Sequence, residues 1–287
     1  MPKKSAPKKE DNMQALLLID SSYTAFYRFF ATIRWYSFAF ADEFKELKSN
    51  PNYNWIENQK FMEKYEKMFL KSIVDLVKKK VFTNSKIIFC MDTPKEHLWR
   101  TELDCAYKGD RADLSLKHDF KPVFAYTYDT MIPNFIKENT NISKLRVDKM
   151  EADDVIASIT MHLKETEPNK IVYIVTGDMD FMQLGRDSVI FANYKAKKPF
   201  KLTEIEAMKA LRHKIIMGDK SDCIKGIFPK GSKVKKQEIL DSDEKLEEYL
   251  ASNSEAKKQY EFNKKMIDFN NIPKKYVNKV IVAFMAI

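Results

Sequence analysis

The sequence predicts a mostly parallel α/β fold with flanking helices, followed by a helical lobe. Three apolar runs, at 15–19, 86–91 and 171–176, have the length of buried strands. Helical patterns lie between them, and strands that alternate with helices are typical of a parallel sheet. From about residue 202 onwards the pattern is helical throughout. The central sheet is therefore expected in the first two thirds of the chain.

The remaining elements follow from local patterns. Apolar residues at helical spacing (Met62, Tyr65, Phe69, Ile73 and Leu76) predict a helix over 61–79. We also expect an aromatic helix that begins near Tyr23 and runs into a loop by Phe40, a helix over 123–137, a helix that opens near Glu151, and short strands at 145–147 and 189–191.

These elements divide the chain into three parts. Residues 1–14 are expected to form a basic, flexible tail. Residues 15–205 form the α/β core, with an irregular, charged insertion at about 93–135 that would arch over the core. Residues 206–287 form the helical lobe.

Composition and net charge restrict the classes of function that this protein is expected to have. The net charge of +9 favours a polyanionic partner, most plausibly nucleic acid. The six glycines form neither a G-x-G-x-x-G motif nor a P-loop. The three cysteines are scattered and odd in number, which suggests an intracellular, reducing compartment without a disulfide framework. The four histidines have no ligand spacing with each other or with the cysteines, so a zinc site is not expected. No apolar run is long enough to cross a membrane, and the first residues do not resemble a secretory signal.

Acidic residues recur where the chemistry of such a fold is expected. Three apolar strands end in aspartate, at Asp20, at Asp92, and at Asp178 with Asp180. Parallel neighbours would bring these ends together at the edge where α/β proteins bind ligands. Two further groups, Glu151-Ala-Asp153-Asp154 and Asp219-Lys-Ser-Asp222, add five acids. Nine carboxylates could therefore converge in a chain that is otherwise basic.

Each acidic group also has an explanation that involves no ligand. Asp148 with Glu151 fits a capping box, Asp222 could cap a helix after Gly218, and Asp20 could be a turn residue. That explanation must hold at five separate places. A divalent metal explains all of them, because Mg²⁺ takes oxygen ligands and paired ions act in phosphodiester displacement.

These motifs, in this order, resemble those of the flap endonuclease / 5′-3′ exonuclease family. The matching segments are Ile19-Asp20, Met91-Asp92, Glu151-Ala-Asp153-Asp154, Thr176-Gly177-Asp178-Met-Asp180 and Gly218-Asp219-Lys-Ser-Asp222, together with Tyr107-Lys108-Gly-Asp-Arg111. The sequence looks most similar to the bacteriophage ribonuclease H branch, through Trp99-Arg100 and the run 266–273 as well. The resemblance covers about residues 15–285.

The resemblance implies a structure-specific 5′ nuclease that acts in DNA replication or repair with two Mg²⁺ ions, for which Mn²⁺ could substitute. Its implied substrates are 5′ flaps, 5′ ends of DNA and RNA in RNA–DNA hybrids, and we expect a monomer that works beside replication proteins. Asp92, Glu151 and Asp153 would serve one metal, and Asp178, Asp180 and Asp219 the other. Asp20, Asp154 and Asp222 would act directly or through water. Lys108 and Arg111 would contact the scissile phosphate, and Tyr107 would stack on a base.

One segment departs from the family pattern. The family's helix–turn–helix loop reads roughly Gly-Val-x-Gly-Ile-Gly-x-Lys and holds a monovalent cation, whereas this chain has Pro229 and Lys230 in place of a glycine and an isoleucine. K⁺ binding is therefore left open. We expect duplex binding here through Lys225, Lys230, Gly231, Ser232 and Lys233, because lysines and helix N-termini bind phosphates.

Other functions remain as alternatives. A ribonuclease of the PIN class is the nearest competitor, although such chains are usually shorter and lack a late helical lobe. An inactive, nuclease-like DNA-binding factor would not need all nine acids. A haloacid-dehalogenase-like phosphatase would use Asp178-x-Asp180 as a nucleophile motif, but it gives no role to Glu151-Ala-Asp153-Asp154.

Overall fold

A computed structural model describes residues 15–109, 118–229, 231 and 236–287. The predicted basic tail (1–14) lies outside the described residues, as do Arg111, Lys230, Ser232 and Lys233. None of the described helices is both long and apolar enough to span a bilayer.

The described residues form a mixed, mostly parallel sheet of six strands in the order β3-β2-β1-β4-β5-β6. Strands β1 to β5 are parallel, and β6 pairs with β5 in the antiparallel sense. Their bounds are β1 Leu16–Asp20, β2 Lys86–Met91, β3 Ile142–Arg146, β4 Val172–Thr176, β5 Val189–Asn193 and β6 Lys198–Phe200.

Helices cover both faces of the sheet and make up most of the chain after it. The α-helices are α1 Ser21–Ala39, α2 Ala41–Leu47, α3 Gln59–Val77, α4 Lys79–Thr83, α5 Trp99–Leu103, α6 Lys121–Tyr126, α7 Ile132–Glu138, α8 Ala152–Thr166, α9 Glu204–Met217, α10 Lys236–Asp241, α11 Asp243–Ser252, α12 Ser254–Ile267 and α13 Lys274–Met285. A π-helical turn, Thr127–Met131, joins α6 to α7.

The predicted fold class is confirmed, with three local differences. Strand β3 begins at Ile142, three residues before the expected strand. The short antiparallel strand β6 was not predicted, because Lys198-Pro-Phe200 is too short to carry a period-two pattern. Helix α1 begins at Ser21, two residues before the expected start near Tyr23, because Asp20 is its N-cap and accepts a hydrogen bond from the Tyr23 amide.

Strand β1 lies at the centre of the sheet, and its side chains alternate between two apolar layers. Leu16 and Leu18 point into a layer built on α8 and α13, whereas Leu17 and Ile19 point into a layer built on α1 and α3. All four are almost fully buried. The last helix, α13, thus returns to the α/β core, where Tyr276 and Val280 are buried beside α8. The division of the chain at residue 205 stays a prediction.

A tight loop follows α9 and carries two of the predicted acids. Gly218 ends α9 with φ +72°, a backbone conformation that favours glycine. The chain then turns back, and Asp219 and Ile224 pair through two backbone hydrogen bonds of 2.9 and 2.7 Å. Gly226 closes the loop against the end of α9, where a Cβ would lie 2.5 Å from the Met217 carbonyl oxygen. The predicted helix–turn–helix would span α9 and α10; it stays a prediction.

We expect Gly226→Ala to destabilise the protein by about 1–3 kcal/mol, because the added methyl group overlaps backbone that has no room to move. Gly109→Ala is the matched control, since a Cβ there meets nothing within 4 Å. Urea denaturation of both variants measures the difference. An unchanged unfolding midpoint for Gly226→Ala would contradict the close approach of these two backbone segments.

Candidate metal-dependent active site

The carboxylates that end the strands lie at one edge of the sheet. Asp20 is the last residue of β1, Asp92 follows β2, and Asp178 follows β4. Because β1 pairs in parallel with both β2 and β4, their carboxyl ends point the same way. Two hydrogen bonds tie β4 to this edge: the Thr176 hydroxyl donates to Asp20 (2.9 Å), and the Asp178 amide donates to Thr176 (3.0 Å).

The first turn of α8 faces the same edge. The Ala152 amide donates a hydrogen bond of 2.6 Å to Asp92, which places the helix N-terminus directly beside the end of β2. Glu151 is the N-cap of α8, and its own amide donates to Asp154 (3.3 Å). The capping box thus pairs Glu151 with Asp154, and the expected pairing of Asp148 with Glu151 is wrong by three residues.

The loop after α9 adds the last two acids. Asp180, Asp219 and Asp222 each place a carboxylate oxygen within 4.8 Å of the others. Asp222 is therefore a member of this triad rather than a helix cap. The geometry groups Asp222 with Asp180 and Asp219, whereas the resemblance grouped Asp178 with that pair. All nine predicted acids lie within the described residues.

Four carboxylates at the sheet edge (Asp20, Asp92, Asp153 and Asp178) form no ion pair with a described lysine or arginine. Burial and the nearby Asp92 raise the pKa of Asp20 to about 7. Burial and Glu151 raise the pKa of Asp92. Burial, with Asp20 and Asp178 close by, raises the pKa of Asp153 well above its ordinary value. A carboxylate resists ionisation in this way when like charges crowd a site that lacks a cation.

The pKa of Glu151 is shifted in the opposite direction, because Glu151 has basic partners. Lys108 forms an ion pair with one of its oxygens, and Tyr107 (2.9 Å) and Arg100 (3.0 Å) bond to the other. Burial would raise the pKa of Glu151, but Lys108 and Arg100 lower it to about 2. The Lys108 backbone adopts φ +55°, which is unfavourable for a lysine, and its amide donates to the Asp222 carbonyl (3.2 Å). The loop thus holds the Lys108 ammonium group at the carboxylates.

Asp154 lies beside Glu151, and both contact Arg100. Asp154 is fully buried, accepts a hydrogen bond from the Trp99 indole (2.8 Å) and forms an ion pair with Arg100 (2.8 Å). Arg100 also donates to the Met266 carbonyl (2.9 Å), so it joins α8 to the end of α12. The oxygens of Asp154 thus contact Trp99 and Arg100, and the expected role of Asp154 at a metal, directly or through water, stays a prediction.

Tyr107 is likewise enclosed by its neighbours, and its expected stacking on a base stays a prediction. Its side chain is only 3% exposed and packs with Leu98, Ile215 and Ile224. The hydroxyl donates to Glu151 and, at 3.1 Å, to Asp222. The ring is enclosed, and the contacts of its hydroxyl are those of a residue that positions two carboxylates.

The residues predicted to bind a duplex are only partly described. Lys225 is exposed, and its carbonyl accepts a hydrogen bond of 2.8 Å from the buried Asn263. Gly231 has φ +76°, with nothing within 4 Å of where its Cβ would lie. Lys230, Ser232 and Lys233 lie outside the described residues, so the duplex-binding surface stays a prediction.

One basic partner of this site, Lys214, could not be recognised from the sequence. Lys214 on α9 forms ion pairs with Asp180 and, at 2.6 Å, with Asp219. Burial would raise the pKa of Asp219, but this pair and the hydrogen bonds from Ser221 lower it. A second basic partner, Arg100, is noticeable in the sequence only through the resemblance. Ser22, whose contact with the site was also not predicted, donates a hydrogen bond to Asp92.

Known proteins share this sequence pattern. A family model described as "5′-3′ exonuclease, N-terminal resolvase-like domain" matches residues 15–213. The ribonuclease H of Enterobacteria phage T4 is 26% identical over 236 residues, which cover 75% of this chain and 74% of the relative. A 5′-3′ exonuclease of Mycoplasmopsis pulmonis is 27% identical over 64% of this chain and 60% of its own. DNA polymerase I of Streptococcus pneumoniae is 28% identical, but the match spans 23% of that protein.

Solved structures share the fold. A structure of the T5 D15 protein co-crystallised with metal ions superposes with a TM-score of 0.62 at 16% identity, over 95% of this chain and 99% of that one. A bacteriophage T5 flap endonuclease, described as a pseudo-enzyme-product complex with DNA and metal ions, has a TM-score of 0.61 at 15% identity, over 95% and 98% of the two chains.

We expect the metal-free protein to lose stability as the pH rises from about 5 to about 7. The pKa of Asp20 is raised from 3.8 to about 7, so over this interval the folded state keeps a proton that the unfolded state has released. Each carboxyl group whose pKa is raised in this way lowers the free energy of unfolding by at most about 1.4 kcal/mol per pH unit. The groups with lowered pKa, Glu151 and Asp219, titrate below this window and do not offset the loss.

Urea denaturation in EDTA at both ends of this pH interval measures the effect. Asp153→Asn removes one of the crowded carboxylates and should flatten the decline. Stability that is constant or rising over the interval would show that these carboxylates are not crowded in the metal-free protein.

Proposed function

Since this chain belongs to the flap endonuclease / 5′-3′ exonuclease family, we propose that it cleaves 5′ flaps and 5′ ends of DNA by hydrolysis with two Mg²⁺ ions. The observation that carries this proposal is the crowding of carboxylates with raised pKa at the edge of the sheet. Such an arrangement is unfavourable without a cation and favourable with one.

The donor set fits hard divalent ions, because every candidate ligand offers carboxylate oxygen. We assign Asp92, Glu151 and Asp153 to one ion and Asp178, Asp180 and Asp219 to the other. Asp20 would act directly or through water, as would Asp222, which places a carboxylate oxygen within 4.8 Å of those of Asp180 and Asp219. When bound, paired ions stabilise the attacking and leaving oxygens of a phosphodiester. Mn²⁺ has the same ligand preference and would serve in place of Mg²⁺.

The protein's own cation at this site is Lys108. Its ammonium group lies on Glu151 and 4.0 Å from Asp222. A cation held at this position is suited to the negative charge that develops on a phosphate during hydrolysis. Arg111 follows three residues later, outside the described residues, and we propose the same role for it. The buried Tyr107 and Arg100 keep Glu151 in place beneath Lys108.

DNA is the proposed substrate, because the T5 flap endonuclease with this fold is described in complex with DNA. The name of the phage T4 relative suggests that RNA in RNA–DNA hybrids is a second substrate. The exposed Lys225, with Lys230, Gly231, Ser232 and Lys233, is proposed to bind the duplex away from the cut. We further propose that the protein acts as a monomer beside replication proteins.

Cleavage of labelled 5′-flap DNA, blunt DNA and an RNA–DNA hybrid, each with Mg²⁺ and with EDTA, tests the proposal. We expect 5′-directed products from the flap and none in EDTA. Asp153→Asn should fold normally and lose at least about a hundredfold in rate, since metal-ion stabilisation is worth several kcal/mol. Cleavage of single-stranded RNA alone would favour the PIN-class ribonuclease. Binding of the flap without any cleavage would favour an inactive DNA-binding factor.

The role of Lys108 has its own test. Lys108→Ala should lower the single-turnover rate by about a hundredfold, with a much smaller change in affinity, because the lost charge acts mainly in the transition state. Lys95→Ala is a nearby control, since Lys95 is exposed and contacts only the Lys108 carbonyl (2.9 Å). Equal losses in rate and affinity would make Lys108 a residue that positions the substrate.

A further inference from the structure

Lys214 lies between two carboxylates, Asp180 and Asp219, whose mutual repulsion a cation relieves. It projects from the last turn of α9, and its ammonium group forms ion pairs with Asp219, at 2.6 Å, and with Asp180. Asp180 follows β4 in the α/β core, whereas Asp219 begins the loop after α9. One side chain thus joins two carboxylates that come from different parts of the fold.

The position of this ammonium group coincides with the carboxylate triad. Asp180, Asp219 and Asp222 place oxygens within 4.8 Å of one another, a spacing that suits a shared cation. Lys214 contacts two of the three. A surface ion pair would be a weak constraint, but the side chains here are only 23% (Lys214), 22% (Asp180) and 12% (Asp219) exposed. Charges at such short range and partial burial interact strongly.

We propose that Lys214 is an internal counter-ion, which holds Asp180 and Asp219 together in the metal-free protein and competes with a divalent ion for them. An ion that binds these carboxylates must displace the ammonium group or bind beside a like charge. Lys214 therefore weakens one metal site. At the other proposed site Glu151 also has an ion pair, with Lys108, but Asp92 and Asp153 form none with a described lysine or arginine, so one of its three assigned carboxylates is paired rather than two.

This inference rests on the proposed metal dependence and makes a distinct claim about affinity. Calorimetric titration of EDTA-treated protein with Mn²⁺ should show a tight and a weak site. Lys214→Met should strengthen the weak site by about tenfold or more, because a positive charge has been removed from it. Lys214→Arg keeps the charge and should restore the wild-type affinity. Lys209→Met is the matched control, since Lys209 is exposed on the same helix.

Stability provides a second measurement that does not depend on turnover. Metal-free Lys214→Met should unfold at a lower temperature than wild type, since Asp180 and Asp219 then repel each other, and Mn²⁺ should raise its unfolding temperature by more than it does for wild type. Unchanged or weaker Mn²⁺ binding in Lys214→Met would overturn the inference and leave Lys214 as a structural ion pair. A wild-type protein that binds no Mn²⁺ at all would overturn the metal dependence as well.

Discussion

Repulsion among carboxylates at the carboxyl edge of the sheet is the constraint on which the rest of the structure depends. A parallel sheet directs the ends of β1, β2 and β4 to one place, where β1 ends in Asp20, Asp92 follows β2 and Asp178 follows β4. The fold must then stabilise charges that it has itself brought together. Helix α8 stabilises one of these carboxylates, because its N-terminal Ala152 amide donates directly to Asp92. Three basic side chains, those of Arg100, Lys108 and Lys214, stabilise other carboxylates of the site.

Two of these side chains, Arg100 and Lys214, also fasten the two halves of the chain to each other. Arg100 spans from Asp154 in the core to the carbonyl of Met266, and Lys214 spans from Asp219 to Asp180. Gln183 adds neutral hydrogen bonds to the backbone at Ile267 and Phe269. The site is consequently assembled only when the late helices pack against the core. A mutation that loosens this packing would separate Asp219 and Asp222 from the strand ends without touching a carboxylate.

The sequence predicted the strand ends well because they depend on local information. An apolar run followed by aspartate identifies both the strand and the side chain at its end, and the parallel topology then places Asp20, Asp92 and Asp178 together. The Glu151-Ala-Asp153-Asp154 group was recognised from local sequence in the same way. Local sequence could not show that Glu151 and Asp154 both contact Arg100, which lies 54 residues before Asp154 in the chain. The direction in which a helix face points is a tertiary property.

Two further tertiary contacts could not be predicted from local sequence for the same reason. Tyr107 lies in a charged, irregular segment, where a tyrosine is expected to be accessible, yet Leu98, Ile215 and Ile224 enclose it. Two of these contacts, with Ile215 in α9 and Ile224 in the loop that follows, come from residues more than a hundred positions later in the chain. Lys214 looks like one more lysine in a basic chain, and only the fold brings it to Asp180. Long-range pairing of opposite charges has no periodicity, so no spacing rule could have found it.

The mixture of paired and unpaired carboxylates follows from two opposing requirements. A site in which every acid had a basic partner would make the metal-free protein more stable, but a divalent ion would have to displace each of those partners. A site with no basic partner would bind ions tightly, and the folded state would retain protons in their absence, as the raised pKa of Asp20 shows. Here Asp20, Asp92 and Asp178 lack an ion pair with a described lysine or arginine, while Lys108 partners Glu151 and Lys214 partners Asp180 and Asp219. The charges that the fold needs for its own assembly are paired, and those left unpaired are the ones that a metal ion can stabilise.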